Sequence, residues 1–234
     1  MSHSNGADSV TVVVPARNAA ATLAATLDTL LGQSVGPPRV LVVDDASEDD
    51  TTAVALAAGA QHVLAGPGRG PGAARNVGIL AATTPLIAFC DADDLWPPQR
   101  LAVDLPRFGE DPELEVLLGH THYRAGDPAL LQNLRFPGEE LMVCTPHFGA
   151  ATLRLNVFKR VGLIDADIRH EDYEWFMRAR DLGVRQDTHS AISQIYCLHA
   201  DSRSRSNPPR PTDLIAVLHR SVRRRRDARA SQQI

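Results

Sequence analysis

The sequence predicts an α/β protein with a mostly parallel sheet covered by helices on both faces. Strand and helix signals alternate at short intervals through residues 10–90. The strand signals are near-continuous apolar runs, which suit strands buried on both sides. Acids and glycines also gather where those runs end, and ligands bind such sheets beyond the carboxyl ends of the strands.

"VTVVVP" (10–15) is a β-branched run stopped by Pro15, and "AAATLAATLDTLLGQ" (19–33) carries Leu23, Leu27, Leu30 and Leu31 at helical spacing. "RVLVVDD" (39–45) is a second strand ending in acids, and "SEDD" (47–50) matches an N-capping pattern for a helix ending near Gly59. A third strand covers "QHVLAG" (61–66). The glycine-rich "GPGRGPGAARNVG" then leads into a helix through Ala82, and a fourth strand covers 86–90. Beyond residue 110 the expected strands are 114–124, 141–145, 149–155 and 191–198, with helices over 171–182 and 212–231. The polar stretch 201–211 reads as a linker.

Composition narrows the classes. The chain has 234 residues, 44% hydrophobic and 22% charged, which is ordinary for a globular protein. No apolar stretch approaches the roughly 18 residues that span a bilayer, and the N-terminus lacks a secretory core, so a cytoplasmic location is expected. Cys90, Cys144 and Cys197 form no CxxC pair, which argues against a zinc knuckle or a disulfide framework, and all three are expected to be buried. Lys159 is the sole lysine, which weakens mechanisms needing a Schiff base or a P-loop. From Asp201 onward nine Arg stand against three Asp, so a basic tail follows an acidic body.

Four constellations stand out. "LIAFCDADDLWPP" (86–98) crowds Asp91, Asp93 and Asp94 at a strand end, either as a solvated turn or around a hard cation such as Mg²⁺ or Mn²⁺. "GRGPGAARNVG" (68–78) places Arg75 on the first turn of a helix, where it is a solvated side chain or pairs with a diphosphate or Asp45. "RHEDYEWFMRARD" (169–181) opens a helix with Glu171 and Asp172, which complement the helix dipole or supply a general base. "YCLHADSRS" (196–204) sets His199 just past a strand, as a structural residue or one at the crevice mouth.

Taken in order with "VVVPARNAAATLAATLDTLLGQ" and "VLVVDDASEDDT", these segments resemble the family 2 glycosyltransferases of GT-A fold, from about Val10 to Ser204. The resemblance implies a Rossmann-like nucleotide-sugar half at 10–110 and a smaller acceptor half at 111–204. A disordered stretch (1–9) would precede them, and a basic linker and helix (205–234) would follow. It implies an inverting, metal-assisted hexosyl transfer from a nucleotide-diphosphate sugar, most simply a UDP-sugar, to a hydroxyl or other nucleophilic acceptor. By similarity, Asp44 or Asp45 takes the base, with Pro15 and Arg17 lining its pocket. Asp91 contacts the ribose, Asp93 coordinates Mn²⁺ or Mg²⁺ with Asp91 and His199 beside it, and Asp94 supports them. Arg75 and Glu171 belong to the donor site, and Asp172 is the catalytic base.

Two departures sharpen this. No QxxRW follows the base, which argues against a processive synthase, and Arg17 stands where many relatives carry an aromatic residue. The basic run "HRSVRRRR" (219–226) is expected to be a solvated helix end, dispensable beyond Arg220, with weak lipid contact as the alternative. Nothing points to nucleic acid. The rivals are a non-catalytic nucleotide-sugar-binding protein and a sugar-phosphate nucleotidyltransferase; the latter is disfavoured because "PARNAAATL" has neither the glycine-rich loop nor the lysine.

Overall fold

The computed structural model describes residues 6–126, 142–199 and 211–231. The expected linker at 201–211 falls outside them apart from its last residue, as do the first five residues and the start of the strand expected at 141.

One eight-stranded sheet organises the molecule. Strands β1 (Val10–Ala16), β2 (Arg39–Asp44), β3 (His62–Ala65) and β4 (Leu86–Phe89) are parallel, in the order β3-β2-β1-β4. Next to β4 runs β7 (Ala151–Arg154), antiparallel, followed by β5 (Val116–Ala125). Strand β5 also pairs with the short β6 (Met142–Val143) and, in parallel, with the long β8 (Gln186–Leu198).

Alternation within each strand divides the core in two. Val12 and Val14 of β1 face one side, with Leu23, Leu27 and Leu30 of α1 (Leu23–Leu31), Ala55 of α2 (Thr51–Ala57), and Leu101, Leu105 and Phe108 of α4 (Arg100–Glu110). Val13 faces the other, with Ala74 and Ile79 of α3 (Pro71–Ala81), Phe158 of α5 (Val157–Val161), and Trp175, Phe176 and Ala179 of α6 (Glu171–Asp181). Helices on both faces explain why the strands read as unbroken apolar runs. Among the described residues, no helix is long and apolar enough to cross a membrane.

Several expectations need correction. Residues 7–9 form a 3-10 turn with Ala7 buried, so the stretch before β1 is structured at its end. Helix α1 starts at Leu23 because residues 18–20 are held by Ser47, Asp49 and Thr51. "SEDD" forms no capping box: α2 begins at Thr51, and the Ser47 N–H donates to Asp44 instead. Cys90 is buried as expected, but Cys197 is partly exposed and Cys144, beside the two-residue β6, is exposed.

Helices α4 and α5 were not anticipated. Pro106 interrupts the spacing of Leu101, Leu105 and Phe108 in α4, and five residues are too few for α5 to show a period. Helix α4 carries Arg100, which is almost fully buried and donates to the carbonyls of Gly149, Ala151 and Ser193. Burial pulls its pKa down to about 10. The basic C-terminal segment forms α7 (Pro211–Ser231), docked on α6 rather than free.

Candidate active site

The candidate residues lie at the carboxyl ends of the parallel strands and at the start of α6. Strand β2 ends at Asp44, whose carboxylate accepts from the Ser47 N–H (2.9 Å) and the Thr52 hydroxyl (2.5 Å). Burial opposes its charge, but these hydrogen bonds hold its carboxyl below the usual range. Asp45 is buried and accepts from the backbone N–H groups of Gly68 (2.7 Å) and Gly70 (2.6 Å). The glycine-rich loop thus closes on Asp45, where a Cβ at Gly66 would come within 2.8 Å of its oxygen. Pro15 sits in β1 opposite Val43, and Arg17 just beyond it is exposed.

Arg75 does not pair with Asp45. Its guanidinium, 4% exposed, lies 2.6 Å from Asp91, 3.4 Å from Glu171 and 3.7 Å from Asp172. The first turns of α3 and α6 converge on the end of β4, so Arg75 meets Glu171 across 96 residues of sequence. Burial works against its charge, but Asp91, then Asp172 and Glu171, outweigh that and raise its pKa. Arg75 is therefore a buried clamp on three carboxylates.

Asp93 and Asp94 diverge. The Asp93 carboxylate is partly exposed and lies 2.8 Å from His199 Nε2. Burial and then the charge of Asp91 push its carboxyl up. Asp94 is buried and accepts from the side-chain amide of Gln194 and from the Cys197 N–H (2.9 Å), which ties the DAD turn to β8. Burial, then Asp91 and Asp93, raise its pKa well above its ordinary value.

Asp91, Asp93 and His199 do not form a ready-made cage: Asp91 is drawn onto Arg75, and no group of three acid, His or Cys ligands exists among the described residues. The donor set nevertheless fits a hard cation. Mg²⁺ or Mn²⁺ takes one or two carboxylates and completes its shell with phosphate and water. Asp93, a partly exposed carboxylate beside His199, supplies such a ligand.

Asp172 is buried, and its Oδ2 accepts from the Phe148 N–H at 3.0 Å. His147 Nε2 lies 3.5 Å from the same oxygen. His147 Nδ1 is 3.1 Å from both the Gly149 N–H and Gln194 Oε1. The acids therefore lie along one run of neighbours: Asp91, Arg75 and Asp172, then His147, Gln194 and Asp94. Sequence reasoning missed His147 and Gln194, because a lone His and a Gln within a strand carry no pattern. Backbone strain marks the same region. Among the described residues the non-glycine positions with positive φ are Asn18, Ala46 and His170, which follow Arg17 and Asp45 and precede Glu171.

An uncharacterised glycosyltransferase of Mycobacterium tuberculosis is 46% identical over 86 residues, covering 37% of each chain. The amylovoran biosynthesis glycosyltransferase AmsB of Erwinia amylovora is 27% identical over 197 residues, covering 76% of this chain and 65% of that protein. The chain thus spans less than two thirds of the length of these relatives. The fold is shared with S. aureus TarS crystallised with UDP-GlcNAc, at TM-score 0.72 and 20% identity over 92% of this chain and 66% of that one. It is also shared with a mannosyltransferase of Pyrobaculum calidifontis in complex with GDP-Man and Mn²⁺, at TM-score 0.70 and 21% identity over 92% and 64%. Residues 11–162, well over half of the sequence, match the family described as Glycosyl transferase family 2, and on that match the chain belongs to this family.

Proposed function

We propose that the protein is an inverting glycosyltransferase that moves a hexosyl group from a nucleotide-diphosphate sugar, a UDP-sugar in the simplest case, to a hydroxyl acceptor. The supporting observation is that Asp172 and Asp91 meet on buried Arg75, with Asp93 two residues beyond Asp91. A base and a leaving-group site must flank one sugar, and the closeness of Asp172 to Asp91 supports that reading.

In this reading residues 10–110 hold the nucleotide and 111–204 the acceptor. The base lies against Asp44 or Asp45 near Pro15 and Arg17, and Asp91 meets the ribose. Asp93, with Asp91 and His199, would hold Mn²⁺ or Mg²⁺, which supplies positive charge for a departing diphosphate. Arg75 keeps Asp91, Glu171 and Asp172 at fixed spacing. Asp172 takes the acceptor hydroxyl proton as its oxygen attacks the anomeric carbon. The bond from that carbon to the diphosphate oxygen breaks on the opposite face, so one displacement inverts the centre.

A cytoplasmic setting suits such a donor. Contact with anionic lipid would fall to Arg223 and Arg226, since Arg220, Arg224 and Arg225 already face acids of the body.

The test begins with a thermal-shift screen of UDP-, GDP- and dTDP-sugars with Mn²⁺. For the donor that raises the midpoint, Asp172→Asn is expected to retain binding and lose about 10²-fold or more in turnover. Wild-type turnover in Asp172→Asn would remove Asp172 as the base. Absence of any donor binding would favour a partner protein over an enzyme.

A further inference from the structure

The chain has three tyrosines: Tyr173 adjoins Asp172, and Tyr196, with Tyr123 against it, approaches Asp172 through His147. Tyr173 follows Asp172 directly, its ring 5.9 Å from that of His170. Tyr123 and Tyr196 are cross-strand partners on the parallel strands β5 and β8, with ring centroids 5.2 Å apart. They stand one step beyond the Thr121 and Gln194 pair on the same face, because side chains two residues apart share a side of the sheet. Tyr196 also meets His147 edge-on at 6.4 Å, and His147 reaches Asp172. Burial, then Tyr173 and Asp94, push the Tyr123 hydroxyl above its ordinary range, which agrees with close approach of the three groups.

Exposure separates these tyrosines from the other aromatics. Every Phe and Trp among the described residues is buried in the core, whereas Tyr123, Tyr173 and Tyr196 all stay partly exposed. Tyr123 and Tyr196 stand near the carboxyl ends of β5 and β8, and Tyr173 stands on the first turn of α6. A half-exposed aromatic wall beside a base suits a ligand with one apolar face and a hydroxyl rim. A pyranose is such a ligand: its ring C–H groups carry slight positive charge and settle on the negative face of an aromatic ring, while its hydroxyls reach polar neighbours.

We infer that Tyr196 and Tyr123, with His147 and Tyr173 at the rim, form the acceptor subsite, and that it takes a pyranose ring whose hydroxyl is directed at Asp172. The assignment rests on Asp172 being the base of the proposed transfer.

Saturation-transfer NMR tests it, using methyl β-D-glucopyranoside and methyl α-D-mannopyranoside as probes and glycerol as the ringless control. Saturating tyrosine ring protons is expected to pass magnetisation to the pyranoside ring protons and not to glycerol. Tyr196→Phe, which keeps the ring, retains the effect, while Tyr196→Leu, which keeps the bulk, weakens binding about tenfold. Unchanged far-UV spectra and melting midpoints show that both variants fold. Absence of transfer to either pyranoside, or equal transfer in Tyr196→Leu and wild type, overturns the assignment. UDP titrated with Mn²⁺ into the same samples separates the two ideas. Nucleotide binding without pyranoside binding removes the subsite and leaves the transfer reading standing. Tyr196-dependent pyranoside binding without nucleotide binding removes the transfer reading.

Discussion

Arg75 shows how one residue can organise a crevice that the sequence scatters. A buried guanidinium facing three carboxylates is stable only while all remain, since removing one side leaves unpaired buried charge. Arg75→Met is therefore expected to lower unfolding free energy by about 3–5 kcal/mol in urea titration. Arg75→Lys should recover only part, having a point charge in place of a fork. Asp94 has a narrower role. Asp94→Ala strands the Gln194 amide and the Cys197 N–H, with an expected loss of about 1–3 kcal/mol by the same titration. The acids themselves were legible, because Asp91, Asp93 and Asp172 stand in distinctive strings. Their partners were not: Arg75 meets Glu171 across 96 residues, and Gln194 meets Asp94 across 100.

At the scale of elements, α3 is held against β1 by what Gly78 lacks. A Cβ there would stand 2.2 Å from a Val13 methyl, so helix and strand would have to separate. Gly78→Ala is expected to cost about 1–3 kcal/mol, seen as a lower melting midpoint, and Val13→Ala in the same chain should return part of it. Such a shift would also move Arg75, one turn earlier on α3. Strands β1 to β4 were readable because burial on both faces writes an unbroken apolar run. Helix α4 was hidden by Pro106, and the start of α1 by side-chain bonds from residues 47–51 that no local pattern announces.

On the scale of the whole molecule, the basic tail belongs to the body. Asp181, its side chain 4% exposed, accepts from Ser221 (3.0 Å) and Arg224 (3.2 Å) and pairs with Arg225, while buried Glu174 accepts from Arg224 at 2.8 Å. Truncation after Arg220 is thus expected to destabilise the fold by about 3–5 kcal/mol through the charges left on α6, as chemical denaturation would register. Charge composition marked the tail as basic, but only the packed structure shows which acids it answers.

The proposed transfer requires the strand-end acids, Asp93 foremost, to anchor a nucleotide diphosphate through a divalent cation, and calorimetric titration of UDP tests this most directly. Mn²⁺ is expected to tighten UDP binding to the wild type by about tenfold or more, and Asp93→Ala to abolish this gain while remaining folded. Equal UDP affinity with and without Mn²⁺, or an undiminished Mn²⁺ effect in Asp93→Ala, would contradict it.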